Sequence, residues 1–510
     1  MRRPSRLLIL PPLLLFAACG EDQLPTTPTS RTANSVTSAA ASRLVVNSLA
    51  DPGDGICNAR ECTLREAIED ARSSAIGFAP GLTGAITLAR PGAGGGTLVI
   101  DKQLSIVGPG SGLTIRRRST DPAFRLLTVG THATVTLTNL NLRNGKADRP
   151  GAGIINFGTL TLTNCSVTGN STTQHGGGID NHGPLTLRRS AVQHNSAPGF
   201  SAAGIDNHRM TVILTNSSVS DNSGVGIFNG GGRLEVTNSS ITNNLRRGID
   251  QDWGRATLNH VRIEGNKSGG ISNHQGGVFL TNSTVALNSS SQGGGISNSA
   301  GGFVSVVKST ISNNSASDLG GGIRNTSGDP FGRLSASVEL INSTVSGNSA
   351  RIGGGIENSN DLGGAEVTII NSTIARNSAR TDGGGVRNED SEEDSDQSNS
   401  VFLINSIVAR NTAPLAPDVA DGAGRFNLIG IGTGSGISNS HGNQVGTSSS
   451  PINPRIGPLV NNGGPTRTHA LLAGSPAIDA ASAADCPATD QRGVPRPQRA
   501  GCDIGSYELR

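Results

Sequence analysis

The sequence predicts an all-β right-handed parallel β-helix, with a short N-terminal capping helix and an irregular, disulfide-stapled C-terminal cap. Three observations lead there. Glycine takes 71 of 510 positions, about twice ordinary usage, without the strict Gly-X-Y period of collagen. A Gly-Ile-x-Asn landmark recurs every 22 residues at Ile205, Ile227, Ile249 and Ile271. A second apolar landmark is followed, three residues later, by Asn in every copy.

The first landmark runs through Ile154, Ile179, Ile205, Ile227, Ile249, Ile271, Ile296, Ile323, Ile356 and Val386. The second runs through Val167, Val192, Val219, Ile241, Ile263, Val285, Ile311, Val345, Ile374 and Val408. Its trailing asparagines are Asn170, Asn195, Asn222, Asn244, Asn266, Asn288, Asn314, Asn348, Asn377 and Asn411. A unit of this length, with short alternating strands and Gly or Asn at its corners, reads as one solenoid coil. Ile and Val point inward and alternate residues outward. Gly and Asn suit the corners because they tolerate left-handed backbone. Stacked Asn side chains can pass amide hydrogen bonds from coil to coil, pairing backbone that would otherwise be buried unsatisfied. Right-handed winding follows from the crossover rule. Ten coils reach roughly 45–50 Å at about 4.8 Å each.

Residues 1–19 read as an export signal: Arg2, Arg3 and Arg6 precede an apolar run from Leu7 to Ala18 that is too short to cross a bilayer. Phe16-Ala17-Ala18-Cys19 resembles a bacterial lipobox, which makes Cys19 the expected lipid-carrying residue and the membrane, by that anchor, the expected partner. Residues 20–42 are an unpatterned tether. Of the other cysteines, Cys57 and Cys62 bracket a tight loop and Cys486 and Cys502 a longer one; an exported protein can keep both pairs oxidised. Cys165 stands where sibling repeats carry Ser and reads as a small buried filler.

A solenoid needs its open ends covered. Residues 43–80 offer a strand, the Cys57–Cys62 loop and a capping box, Thr63-Leu64-Arg65-Glu66, opening a helix with Leu64, Ala67, Ile68 and Ala71 on one face. Residues 81–425 form the β-helix and 426–510 the second cap. In that tail Asp490, Arg492, Asp503 and Glu508 read as salt bridges and turn bonds. Leu44-Val45-Val46-Asn47-Ser48, Gly53-Asp54-Gly55 and Cys62-Thr63-Leu64-Arg65-Glu66-Ala67-Ile68 resemble the CSLREA-type N-terminal domain of bacterial surface β-helix proteins. The tail is similar to the choice-of-anchor Q C-terminal domain, through Asn427-Leu428-Ile429-Gly430, Asn462-Gly463-Gly464-Pro465-Thr466, Gly474-Ser475-Pro476-Ala477-Ile478-Asp479, Asp490-Gln491-Arg492-Gly493 and Cys502-Asp503-Ile504-Gly505-Ser506-Tyr507-Glu508. The resemblance, which extends to polymorphic outer-membrane-protein repeats, implies an exported β-helix at the bacterial cell envelope. It carries no agreed catalytic residues.

A formal charge of +3 gives no electrostatic case for nucleic acid. On β-helix polysaccharide lyases and hydrolases, chemistry sits on an outward sheet face and uses carboxylates with Lys, Arg or His. Here Asp180-Asn181-His182 and Asp206-Asn207-His208 occupy equal positions in adjacent coils, which makes Asp180, His182, Asp206 and His208 the candidate catalytic or metal-binding residues. Asp250, Asp252 and His274 fall at the same offsets further along, after Phe228 and Gly230 interrupt the column. Insertions at 326–335, 359–363 and 389–400 all extend one turn of the coil, and such clustering often makes a binding face. The last contains the acidic run Glu389, Asp390, Glu392, Glu393, Asp394 and Asp396, a possible ligand loop. The repeating calcium nonapeptide is absent, so calcium has no specific motif and no cofactor is expected. Only one Trp and one Tyr, Trp253 and Tyr507, are present, against the aromatic platforms of sugar-cleaving grooves. The expected function is a monomeric, non-catalytic surface solenoid for adhesion, display or binding of a glycan or protein. The rival is a polysaccharide lyase or glycoside hydrolase.

Overall fold

The computed structural model describes residues 43–70, 74–92, 96–328, 334–359, 364–389 and 399–510. The export signal with Cys19, the tether, Ala71 and the acidic run from Asp390 to Asp396 lie outside these, as do half of the 326–335 insertion and nearly all of 359–363.

Three long parallel sheets run along the molecule, with 13, 15 and 15 strands. Each coil visits them in a fixed order. Sheet I carries the Gly-Ile landmark, as in Ile154–Asn156, Ile179–Asn181 and Ala202–His208. Sheet II carries longer strands such as Thr159–Thr163 and Thr211–Thr215. Sheet III carries the second landmark, as in Ser166–Thr168 and Ala191–Gln193. Successive coils are in register: Ile179, Asp180 and Asn181 face Ile205, Asp206 and Asn207, and Val192 faces Val167 and Val219. The inward residues of all three sheets form one continuous core from Val46 to Ile437. Each buried Ile, Leu or Val in these columns contributes about 1.5–3 kcal/mol of hydrophobic stabilisation.

The corner after sheet III is held by the asparagine series. In each coil the Asn backbone N–H and side-chain amide both donate to the Asn Oδ1 of the next coil; for Asn244 these bonds to Asn266 are both 3.0 Å. The same amide donates back to the preceding coil, from Asn244 to the Val219 carbonyl at 3.3 Å. The chain of bonds runs unbroken from Asn170 to Asn411. It ends on a carboxylate, Asp418, which accepts from Asn411; burial pushes the Asp418 carboxyl up to about 6.

Two further polar ladders accompany it. The Asn of the Gly-Ile-x-Asn landmark points inward and bonds to its neighbour, Asn156 to Asn181 to Asn207 to Asn229 to Gln251. At the corner before sheet III, Ser hydroxyls accept from the preceding coil, as Ser217 does from Ser190 and Ser283 from Val261. Cys165 occupies this Ser position and is buried and unpaired with another cysteine.

The residue before each ladder Asn has positive φ, but it is not always Gly or Asn. His194, Leu287, Arg376 and Arg410 all adopt it, at φ 54°, 58°, 61° and 62°. The sequence-based expectation of Gly or Asn at every corner is therefore too strict; the bonds made by the following Asn outweigh the local strain of about 1–2 kcal/mol. Glycine is indispensable elsewhere. In Gly320-Gly321-Gly322 the first has φ 65°, and a Cβ on the other two would lie 2.4 and 2.5 Å from carbonyls of the next coil.

At the N-terminal end a six-residue helix, Leu64–Glu69, starts from a complete capping box between Thr63 and Glu66. Leu64 and Ile68 join the core with Leu98 and Ile100, and Asp51 anchors Arg65 at 2.7 Å. Disulfides join Cys57 to Cys62 and Cys486 to Cys502.

The stapled tail does more than close an end. Residues 456–510 fold back along the outward face of sheet III and build a second core, in which Ile456, Leu471, Ala477 and Ile504 cover Ala375, Ile407, Ala409 and Leu428. Gln491 reaches Thr310 and Thr344, Ser506 reaches Thr373, and His469 Nε2 lies 2.9 Å from the Ser346 hydroxyl. Asp490 pairs with Arg492 at 2.7 Å and Glu508 with Arg496 at 3.3 Å, while Asp503 accepts from the backbone of Asp479 and Leu509.

Replacing Asn266 by Ala strands the Asn244 donors and the Ile241 carbonyl inside the core. The expected cost in urea denaturation is about 3 kcal/mol or more, against less than about 1 kcal/mol for Thr257→Ala on the outward face of sheet II.

Candidate functional site

Sheet I places Asp180 and Asp206 on its outward face, one coil apart, with His182 and His208 two residues on. The four residues are together, as their spacing suggests, but the carboxylates are not water-facing. Asp180 is 1% and Asp206 5% exposed, because three imidazoles lie over them. The third is His175, from the turn before Gly176. Gly176, at φ 64°, turns the chain sharply there, and a Cβ on it would strike Asp180 Cβ at 2.7 Å. Glycine at this position thus leaves room for the carboxylate and brings His175 over Asp206.

His175 Nδ1 is 2.7 Å from Asp206 Oδ2 and 3.7 Å from Asp180 Oδ1. His208 Nε2 is 3.0 Å from Asp180 Oδ1 and 3.6 Å from Asp206 Oδ1. His182 Nε2 takes the other Asp180 oxygen, at 3.1 Å. The rings of His182 and His208 stack, with centroids 4.3 Å apart and planes 2° from parallel, and Phe157 stacks on the far side of His182 at 5.2 Å.

The electrostatics follow from the contacts. The close contact with Asp206 raises the His175 imidazole above its ordinary value against the opposing effect of burial, and the hydrogen bond to Asp180 does the same for His208. Burial alone would raise the Asp180 carboxyl; its bonds with His208 and His182 together outweigh that and hold it low. Asp206 Oδ1 is buried and has no hydrogen-bond partner.

The column does not continue as one site. Phe228 and Gly230 face Asp206 and His208. Beyond them Asp250 pairs with Arg247 at 2.8 Å, and His274 Nδ1 lies 3.3 Å from the Ser299 hydroxyl. Asp252 pairs across the sheet with His274. Trp253, on the adjoining turn, is 58% exposed, whereas the Tyr507 ring is covered by the Arg492 guanidinium, 3.5 Å from its centroid.

Six coils further along the same face is a second buried cluster that the sequence reading passed over. Glu357 is fully buried between Arg324 and Arg387 of the neighbouring coils, at 3.5 and 4.0 Å. These distances are too long for hydrogen bonds, and neither carboxylate oxygen has a partner. Desolvation therefore outweighs the nearby Ser359 hydroxyl and the two arginines and pushes the carboxyl up to about 7. Glu389, the described member of the acidic loop, pairs with Arg387 at 3.1 Å. In sequence, each of the three insertions falls between a strand of sheet I and a strand of sheet II.

Residues 125–258 match the family model described as a right handed beta helix region, which takes in the whole His–Asp cluster. No curated protein matches the chain. Among solved structures, one described as the crystal structure of pectate lyase Pel9A aligns over 85% of this chain and 88% of its own, at 13% identity and a TM-score of 0.30.

A carboxyl whose folded-state value is raised contributes stability that is complete below its unfolded value and is lost as pH rises through the folded one. Stability should therefore fall between about pH 4.5 and above pH 7, by on the order of 3 kcal/mol from Glu357. Urea denaturation across this range should show that decline in the parent, and Glu357→Gln should make it shallower by about that amount, leaving the share due to Asp418.

Proposed function

We propose that the protein is exported to the bacterial cell envelope, anchored there by a lipid on Cys19, and binds an extracellular glycan or protein on the outward face of sheet I without converting it. The observation that carries this reading is the gathering of distinctive surface features on one face. The His–Asp cluster and the Glu357 cluster both lie on sheet I, and the strands that precede the three insertions in sequence belong to the same sheet. The outward face of sheet III is covered by the tail over its later coils. Export and anchoring are supported by the lipobox-like start and by the resemblance of the two ends to CSLREA-type and choice-of-anchor Q domains. Scarcity of exposed aromatic platforms weighs against processive sugar cleavage.

A second reading, a polysaccharide lyase or hydrolase, is favoured by Asp180, held between two imidazoles at 3.0 and 3.1 Å. Such an arrangement of one carboxylate and two imidazoles is suited to proton transfer. The two readings separate in one experiment. The purified chain is incubated with pectins, alginates and glycosaminoglycans, and both retention on the immobilised polymer and release of unsaturated or reducing ends are measured. Retention weakened by His182→Ala or Trp253→Ala, without product, is the expected result. Product that disappears in Asp206→Ala would replace this reading by the enzymatic one.

A further inference from the structure

From the geometry of the His–Asp cluster we infer that it is a binding site for one first-row divalent transition ion, of the zinc class, held by His175, Asp180, Asp206 and His208. One ligand atom from each of these residues lies within 4.8 Å of the others. His175 Nδ1 and His208 Nε2 lie 3.7 and 3.0 Å from Asp180 Oδ1, and Asp206 meets them through its two different oxygens, Oδ2 at 2.7 Å from His175 and Oδ1 at 3.6 Å from His208; these separations bracket the edge of about 3.3 Å expected for a tetrahedron with bonds near 2.0–2.1 Å. The residues alternate His, Asp, His, Asp around the ring, so that each imidazole nitrogen sits between two carboxylates.

A second observation points the same way. Asp206 is 95% buried by its 5% exposure, yet its Oδ1 has no hydrogen-bond partner and faces His208. A buried carboxylate oxygen left unpaired is costly, and a cation between the four donors would satisfy it. The imidazoles keep about a third of their surface open, 36% for His175 and 35% for His208, so an ion can enter without unfolding the coil.

The donor set selects the class of metal. Two imidazole nitrogens and two carboxylates suit zinc, cobalt or nickel, whereas calcium and magnesium favour all-oxygen sites. The remaining contacts look like support for ligands. Asp180 presents Oδ1 to the cluster and keeps Oδ2 on His182, and the Phe157–His182–His208 stack fixes the ring orientation. Such partners orient ligands and raise affinity. The other group of close carboxylates among the described residues, Asp54, Glu61 and Glu66, lacks this character. Both Glu66 oxygens already accept backbone N–H groups, from Gly55 and Thr63.

The test is a zinc titration of the chelator-treated, purified full chain against a competing chromophoric chelator, paired with cobalt substitution and thermal unfolding. One equivalent of zinc per chain is expected, with a raised melting temperature and the intense visible bands of four-coordinate cobalt. His175→Ala and His208→Ala should each weaken binding by more than about 100-fold, and His182→Ala by about tenfold. His274→Ala should leave it unchanged. Melting of the metal-free variants close to the parent confirms that they fold. For any variant that does not fold, the cobalt spectrum of the parent decides. Absence of zinc binding, binding unaffected by His175→Ala and His208→Ala, displacement of zinc by equimolar calcium, or a six-coordinate cobalt spectrum would each overturn the inference.

Discussion

A polypeptide wound into narrow coils must bury peptide groups at every corner, beyond the reach of water and of regular strand pairing. Each such group left alone costs about 1–3 kcal/mol, so a solenoid of this length cannot stand on hydrophobic columns alone. The asparagine spine meets this constraint. One side chain accepts two bonds from the preceding coil, donates to the following coil and donates back to a carbonyl behind it. Because each Asn serves its neighbours on both sides, the bonds also fix the register of one coil on the next. The inward Asn ladder of sheet I and the Ser ladder repeat the solution at the other corners.

Register is what turns a repeat into a site. An outward residue in sheet I is placed over its counterpart one coil away, so Asp180 and Asp206 meet because Ile179 and Ile205 are stacked beneath them. Glu357 meets Arg324 and Arg387 by the same rule. Neither cluster requires a specialised loop fold to assemble it. What distinguishes them from the rest of the face is cover: imidazoles over one pair of carboxylates and guanidiniums over the other carboxylate make charged groups buried on a surface that is elsewhere solvated.

The repeating part of the fold was legible because its constraints act at fixed sequence intervals. The landmark Ile and Val residues, the trailing Asn series, the capping box at Thr63 and Glu66 and the pairing of Cys57 with Cys62 all appear where periodicity and spacing put them. The contribution of His175 was not legible. It sits in a turn outside the landmarks, and its approach to Asp206 depends on the reversal at Gly176; the crowding of His175, His182, His194 and His208 into one stretch was the available hint. Glu357 was hidden for a different reason, since its character comes from burial between two coils and not from its own segment. The docking of the tail was hidden as well. Its trace in sequence is the change of outward residues on sheet III, from Arg262 and Glu264 in an early coil to Ile407 and Ala409 in a late one.

The account rests on the asparagine spine as the element that stabilises and aligns the coils. Hydrogen exchange of the native chain, followed by mass spectrometry, reads it most directly at the backbone amides of Asn195, Asn222, Asn244, Asn266 and Asn288, each of which donates to the next Asn side chain. These amides should exchange only through the slowest, most global opening of the molecule, together with the neighbouring core strands. Exchange as fast as that of the exposed turn at Gly199 and Phe200 would contradict it.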